Sequence, residues 1–150
     1  MRTDSSALAF PKNNSAKDTR EKRRQIANAH SEARRQCLEL DGGRCMNPEC
    51  VSNRPYKDGT LPMLHPSRLE AAHVIGRGRG GDWSIGNLIT LCSDCHKMAT
   101  FRTSRLRMAA DQFMLRVLTH YDGKENDRWQ VSRHLLSLTV ERKVATGAIK

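Results

Sequence analysis

The chain has 150 residues and a formal net charge of +10, with 28% charged, 37% apolar and only 5% aromatic side chains. This length suits a single domain with extended flanks, and so few aromatic residues exclude a large hydrophobic core. No apolar run reaches the roughly 18 residues of a transmembrane helix, and the first residues lack the apolar centre of a secretory signal. We therefore expect a cytoplasmic protein without a membrane partner.

The positive charge lies mainly in the two flanks of the chain. Residues 1–44 carry a net charge of +4, residues 45–100 carry +1 and residues 101–150 carry +5. Basic segments around a nearly neutral centre are what binding to a nucleic-acid backbone requires, and they suit RNA as well as DNA. The alternative is that these charges form solvated helix faces that keep the protein soluble.

The N-terminal flank combines a polar tail with a basic helix. Residues 1–17 are rich in Ser, Asn and Lys without periodicity, which predicts a disordered tail. The segment 18–44 is predicted to hold a basic helix, which begins with an N-cap at Asp18 and ends at about Leu40, before an Asp-Gly-Gly stop. Its apolar stripe consists of Ile26, Ala29, Ala33, Cys37 and Leu40. Its candidate nucleic-acid contacts are Arg23, Arg24, Arg34 and Arg35.

Four of the five cysteines form two close pairs. Cys45 and Cys50 are separated by four residues, and Cys92 and Cys95 by two. In a reduced compartment such pairs favour a metal over disulfides, and both spacings let two thiolates reach one tetrahedral ion. We therefore predict a structural Zn2+ that ties the irregular, proline-rich segment after Cys45 to the rest of the domain. The fifth cysteine, Cys37, is expected to be a small buried hydrophobe.

The segment from Glu70 to Thr100, EAAHVIGRGRGGDWSIGNLITLCSDCHKMAT, contains the remaining reactive side chains. Its apolar runs predict a short strand that ends at His73 and a second strand before the Cys-x-x-Cys-His sequence, which should begin a helix. Between the strands lies a glycine-rich loop with Arg77 and Arg79. Glycines let a backbone approach a nucleic acid closely, and arginine pairs well with phosphate.

Helices are expected in the C-terminal flank, residues 101–150. The apolar spacing predicts a helix from Ser104 to Tyr121, and its Arg105 is a further candidate nucleic-acid contact. Residues 129–140 fit a helix and a strand equally well, so the pattern leaves both open.

The order of His73, Asn87 and His96 on a strand–loop–strand–helix frame resembles the HNH endonuclease family with its ββα-metal, or His-Me finger, core. The resemblance covers roughly residues 37–100 and includes both cysteine pairs. It implies an α+β fold in which this core, at residues 45–100, carries the four-cysteine zinc site and is flanked by helices on both sides. The small size is similar to that of phage-borne enzymes, which act in a bacterium or an infected host cell.

The resemblance also implies catalytic roles. His73 is expected to be the general base, Asn87 to hold the loop that carries the base, and His96 to bind a catalytic divalent cation, Mg2+ or another such ion. The expected reaction is metal-dependent hydrolysis of DNA, by nicking or double-strand cleavage, to 5′-phosphate and 3′-hydroxyl ends. Many relatives have Asp or His immediately before the base as a second metal ligand, whereas this chain has Ala72. Glu70, two residues earlier on the same face of the strand, is the candidate replacement.

Each of these residues also has an ordinary structural interpretation. His73 alone is typical of a core histidine and Asn87 of a turn, while His96 fits a ligand that replaces one cysteine at the zinc. Trp83 fits a small core better than a base-stacking role. Two other functions stay open: a catalytically inactive, zinc-dependent nucleic-acid-binding module, which Ala72 favours, and a protein-interaction adaptor, which the basic flanks disfavour. No pattern predicts an oligomeric state.

Overall fold

The structure, a computed structural model, describes residues 15–62, 68–100 and 104–147, with the side chains of all of these except 104–106. Within these residues it contains a two-stranded sheet and four α-helices, which are α1 (Ser15–Leu40), β1 (Leu69–His73), β2 (Leu88–Cys92), α2 (Ser93–Ala99), α3 (Ser104–Thr119) and α4 (Gln130–Ala145). The α+β class is confirmed, and the strand–loop–strand–helix order is as predicted. Most of the predicted tail, residues 1–14, lies outside the described residues, as does the Arg105 side chain.

The two strands form an antiparallel pair at the centre of the domain. Leu69 lies opposite Cys92, and His73 lies opposite Leu88. All five residues of β2 are buried, because both α1 and α2 pack against the strand pair. This burial agrees with the nearly continuous apolar sequence of β2.

The hydrophobic core forms where α3 and α4 close against the strands. Leu91 of β2, Leu118 of α3 and Leu136 of α4 have no exposed surface, and burial of each such side chain stabilises the fold by about 1.5–3 kcal/mol. Trp129, at the start of α4, is also fully buried. Its indole Nε1 donates a hydrogen bond of 2.7 Å to the carbonyl of Leu88, so the buried polar group is satisfied.

A buried ion pair attaches the C-terminal end of α1 to this core. Arg128 donates two hydrogen bonds, of 2.6 and 3.0 Å, to the Asp41 carboxylate, which also accepts one of 2.8 Å from the backbone N–H of Thr90. The Cys37 thiol lies 3.5 Å from Thr90 Oγ1 and 3.6 Å from Asp41 Oδ2. Cys37 is therefore buried, as predicted, but its neighbours include polar groups as well as core side chains.

Two details of the α1 prediction are wrong. The helix begins at Ser15, so Asp18 lies in its first turn rather than at an N-cap, and the last residues of the predicted tail are helical. Ile26 and Leu40 are 55% and 61% exposed, and Cys37 is the buried residue of this helix. Of the other residues of the predicted stripe, Ala33 is half-buried and Ala29 is exposed.

The C-terminal helices differ from the sequence pattern at their ends. α3 ends at Thr119, two residues before the predicted end. The ambiguous segment is helical, because Ser132 and Leu136 are buried one helical turn apart on α4. Of the helices described here, none is long and apolar enough to cross a membrane.

Candidate active site and zinc site

Four cysteine side chains meet where the irregular segment approaches the end of β2. The Sγ atoms of Cys45, Cys50, Cys92 and Cys95 all lie within 4.8 Å of one another and are buried, and those of Cys50 and Cys92 are 3.7 Å apart. Sulfurs placed tetrahedrally about 2.3 Å from Zn2+ are about 3.8 Å apart. No disulfide joins these cysteines, so the donor set fits a metal such as zinc.

Polar side chains surround the four sulfurs. Asn47 Nδ2 donates a hydrogen bond of 3.3 Å to Cys95 Sγ, and Ser52 Oγ lies 3.0 Å from Cys50 Sγ. Asn53 Nδ2 donates to two backbone carbonyls of the same segment, both at 2.7 Å. Hydrogen-bond donors of this kind orient and stabilise thiolate ligands. The sequence analysis did not identify them, although Asn and Ser close to paired cysteines are a usable signal.

The loop between the strands, residues 74–87, is held at both ends by Asn87. The Asn87 side chain accepts a hydrogen bond of 2.8 Å from the Ile75 N–H and donates to the carbonyls of Ile75 and Asp82, at 3.1 and 2.9 Å. The Asn87 carbonyl also accepts a hydrogen bond of 2.8 Å from the N–H of Val74. Asn87 is only 4% exposed, so these contacts lie in the interior of the domain.

Two glycines let this loop close. A Cβ at Gly81 would lie 1.7 Å from the Ile75 carbonyl oxygen, so no other residue fits there. Gly80 has a φ of +87°, in the left-handed region that favours glycine. These two glycines, which the sequence analysis associated with close approach to a nucleic acid, are therefore needed by the loop itself.

His73 and His96 line one open cleft of about 260 Å³. His73 is the last residue of β1, and His96 lies in α2, directly after the last zinc cysteine. The cleft also contains Arg77 and Arg79 from the loop. The structure thus brings the two predicted catalytic histidines together.

The two ring nitrogens of His73 have different surroundings. Nε2 is buried and has no hydrogen-bond partner among the described residues, so Nδ1 is the nitrogen left to face the cleft. The ring stands nearly perpendicular to that of Trp83, with centroids 4.5 Å apart. Burial lowers the pKa of His73, and the nearby charges of Arg77, His96 and Arg34 lower it further. The imidazole is therefore neutral at pH 7.

His96 Nδ1 forms a short contact with Glu70 Oε2. The two side chains are 31% and 46% exposed, so the pair lies at the edge of the domain. Ala72, between Glu70 and His73 on β1, is 1% exposed and offers no ligand atom. The carboxylate suggested by the sequence thus reaches His96 directly.

Comparison with protein families gave a match in the part of the chain that holds this frame. Residues 44–102 match the model of the HNH endonuclease family. This segment, which is similar to that family, is called the HNH domain below. The match covers less than half of the chain and includes both strands and all four zinc cysteines. Neither the curated proteins nor the solved structures gave a significant match. The HNH domain indicates a nuclease type of function, with a nucleic acid as substrate.

Arg79, one of the predicted nucleic-acid contacts of the HNH domain, binds a carboxylate within the chain. Its guanidinium donates hydrogen bonds of 3.0 and 2.9 Å to the two oxygens of Asp111 on α3. Lys143 of α4 donates to the same carboxylate at 3.2 Å, and Asp111 is 2% exposed. Arg79 therefore joins the loop to the C-terminal helices, and its role as a nucleic-acid contact stays a prediction.

The arginines of α1 also fall into different groups. Arg35 lies between Glu32 and Glu39, which both accept its hydrogen bonds, and Arg24 lies 3.6 Å from Glu21. These contacts compensate the two positive charges along the helix itself. Arg23 and Arg34 are also exposed on this helix.

Trp83 lies in a cluster that the sequence pattern did not reveal. Its ring stacks on that of His30 from α1, with centroids 4.2 Å apart and an angle of 15° between the planes. The guanidinium carbons of Arg34 and Arg77 lie 5.2 and 5.9 Å from the centroid of the Trp83 ring. Trp83 is half-buried beside His73, which corrects its assignment to the core.

Proposed function

We propose that this protein is a divalent-metal-dependent endonuclease that hydrolyses phosphodiester bonds of DNA, with His73 as the general base. The observation that carries the proposal is the meeting of His73 and His96 in one open cleft, beside a loop that Asn87 clamps at both ends. The HNH domain supports the same class of reaction.

His73 would take a proton from water at Nδ1. A neutral imidazole is competent for this step, and the lowered pKa keeps it neutral at pH 7. The other nitrogen, Nε2, is enclosed beside Trp83, so the ring has one accessible nitrogen. The deprotonated water then attacks the phosphorus in line with the 3′ oxygen. The bond between the phosphorus and this oxygen breaks, so the products carry 5′-phosphate and 3′-hydroxyl ends.

His96 is the residue that would hold a divalent cation in this cleft. Such an ion, when bound, stabilises negative charge on the scissile phosphate and the leaving oxygen. Because Nδ1 of His96 contacts Glu70, Nε2 is the nitrogen available for the ion. A carboxylate on the second ring nitrogen is a common support of metal-binding histidines. We therefore assign Glu70 as a residue that positions His96. Because Ala72 offers no ligand atom, water and substrate phosphate would supply the other ligands of the ion.

Asn87 would maintain the geometry of the site. Three of its side-chain hydrogen bonds fix Ile75, two residues after His73, and Asp82, next to Trp83. The side-chain amide of Asn87 therefore holds both the segment that follows His73 and the segment that carries Trp83. A base that must be in hydrogen-bond reach of one water depends on such positioning.

Cleavage of a supercoiled plasmid tests this proposal. Purified zinc-loaded protein is incubated with Mg2+, Mn2+ or Ni2+, and wild type is compared with His73→Ala and with His134→Ala, which removes an exposed histidine on α4. Wild type and His134→Ala should convert the plasmid to open-circular or linear DNA, and His73→Ala should not. DNA ligase should seal the nicks directly, because it needs 5′-phosphate and 3′-hydroxyl ends.

Other outcomes of this assay contradict the proposal. Equal cutting by His73→Ala would show that His73 is not the base. No cutting by any of the three proteins, with DNA binding retained, would favour the inactive binding module that Ala72 suggested.

A further inference from the structure

The ring of Trp83 brings together two arginines from separate parts of the chain. Arg34 belongs to α1 and Arg77 to the loop, 43 positions apart in sequence. Both guanidinium groups lie within 6 Å of the same ring centroid, a distance at which a cation is attracted to an aromatic face. His30 stacks on Trp83 and so attaches this ring to α1. Both arginines are therefore positioned by packing against one ring rather than by a carboxylate.

These two arginines differ from their neighbours in their charge balance. Arg35 is paired with two glutamates, and Arg79 with Asp111. Within the part of the chain that the structure describes, no ion pair compensates Arg34 or Arg77, and both are exposed. Two uncompensated cations beside one ring raise the local positive potential, which favours binding of an anion there.

The surroundings of the pair indicate a bound polar group. The indole Nε1 of Trp83 is buried without a hydrogen-bond partner among the described residues. Such atoms are rare in folded proteins, and each calls for an explanation such as a bound ion or ligand. Arg77 also lines the cleft that holds His73 and His96.

We propose that Arg34 and Arg77, held over Trp83, form one anion-binding site that receives a backbone phosphate of the nucleic acid beside the scissile bond. Guanidinium groups present paired N–H donors that match the oxygens of a phosphodiester. The site thereby places the substrate against His73 without reading its sequence. The inference rests on the proposed function for the identity of the ligand, and it names which of the many arginines bind it.

The salt dependence of DNA binding tests this site separately from catalysis. A fluorescein-labelled duplex of 20 base pairs is titrated with zinc-loaded protein at several NaCl concentrations, without added Mg2+ or Mn2+, and binding is followed by anisotropy. Each lost phosphate contact should reduce the slope of log K against log [NaCl] by about 0.9. We expect this reduction for Arg34→Ala and for Arg77→Ala, and about twice as much for the double variant.

Arg35→Ala is the matched control, because it removes the same charge from the adjacent position of α1. Its slope should change by less than half as much as that of Arg34→Ala, since Glu32 and Glu39 already compensate Arg35. Slopes of Arg34→Ala and Arg77→Ala equal to that of Arg35→Ala would overturn the proposal. Trp83→Leu should reduce the slope of log K against log [NaCl] as much as the double variant does. Zinc content and circular dichroism check that Trp83→Leu is folded.

The experiment separates this inference from the proposed nuclease activity. A wild-type protein that binds with these slopes but never cuts DNA would keep the phosphate site and refute the proposed catalysis. A protein that cuts DNA while Arg34→Ala and Arg77→Ala bind like Arg35→Ala would refute the phosphate site alone.

Discussion

The zinc end and the cleft end of the HNH domain differ in whether their buried reactive side chains have partners. At the zinc end, four buried cysteines face one another, Asn47 donates to one of the sulfurs, and the Ser52 hydroxyl lies 3.0 Å from another. At the cleft end, His73 Nε2 and Trp83 Nε1 are buried without partners among the described residues, and His96 is partly exposed. A complete donor shell is typical of a structural metal site, and unsatisfied polar groups in a cleft are typical of a site that binds something else.

The largest effect should come from removing one of the four cysteines of the zinc site. Cys92→Ser removes a zinc ligand, and structural zinc contributes an apparent binding free energy of about 10–16 kcal/mol to folding. We expect loss of zinc and of cooperative unfolding, measured by elemental analysis and thermal circular dichroism. Cys37→Ser changes a buried thiol outside the zinc cluster and should keep one zinc per chain. A folded, zinc-loaded Cys92→Ser protein would contradict the assignment of this site as the structural staple.

Asn87 holds the loop at the cleft end, and its removal should have the next largest effect. Asn87→Ala leaves partly buried backbone groups of Ile75 and Asp82 without their Asn87 partner, which should lower the free energy of unfolding by about 3 kcal/mol. Urea denaturation measures this loss, and Asn126→Ala, at an exposed position, is the control. The zinc content should stay at one per chain. If Asn87→Ala were as stable as the control, the loop would not depend on this amide.

Glu70 tests whether the cleft end is supported as proposed. Glu70→Ala should weaken Mn2+ binding to the zinc-loaded protein by about 10- to 100-fold, measured by calorimetry. Glu70→Gln keeps an oxygen that accepts a hydrogen bond from His96 Nδ1, so its loss should be much smaller. Glu125→Ala, at an exposed position, should match wild type. Equal losses for Gln and Ala would instead identify Glu70 as a direct ligand.

The smallest effect concerns the pH profile of cleavage. Burial and the charge of Arg77 lower the pKa of His73 below 6.5, and only the neutral imidazole accepts a proton. The single-turnover rate should therefore rise with pH through a value below 6.5 and level off above it. Arg77→Ala should move this rise to higher pH by a fraction of a unit, because one of the charges that lowers the pKa is gone. A rise above pH 6.5 in wild type would contradict the proposed environment of His73.

Local spacing predicted the parts of the site that depend on neighbours in sequence. The two short cysteine spacings placed four sulfurs correctly, and alternation of apolar and glycine-rich segments placed β1, β2 and α2. The contacts that distinguish one arginine from another were not predictable in this way. Arg79 of the loop forms an ion pair with Asp111 of α3, and Trp83 stacks on His30, which is 53 positions away in sequence. Such contacts depend on how the elements pack.

The error in α1 has a similar cause. A periodic apolar stripe shows which residues share a helix face, but it does not show whether anything covers that face. Ile26 is 55% exposed, while Cys37 is fully buried. α4 illustrates the converse, because tertiary burial of Ser132 and Leu136 decided a pattern that fitted both a helix and a strand.

The division between a closed zinc site and an open reactive site depends most directly on His96, which lies next to Cys95 in sequence. The decisive measurement is zinc content and plasmid cleavage on the same preparations of wild type and His96→Ala, with Mg2+ or Mn2+ added to the cleavage reaction. We predict one tightly bound zinc per chain in both proteins and cleavage by wild type alone. Loss of zinc from His96→Ala would show that His96 belongs to the structural site. Cleavage by His96→Ala at the wild-type rate would show that His96 has no role in the reactive site. Either result would contradict the account.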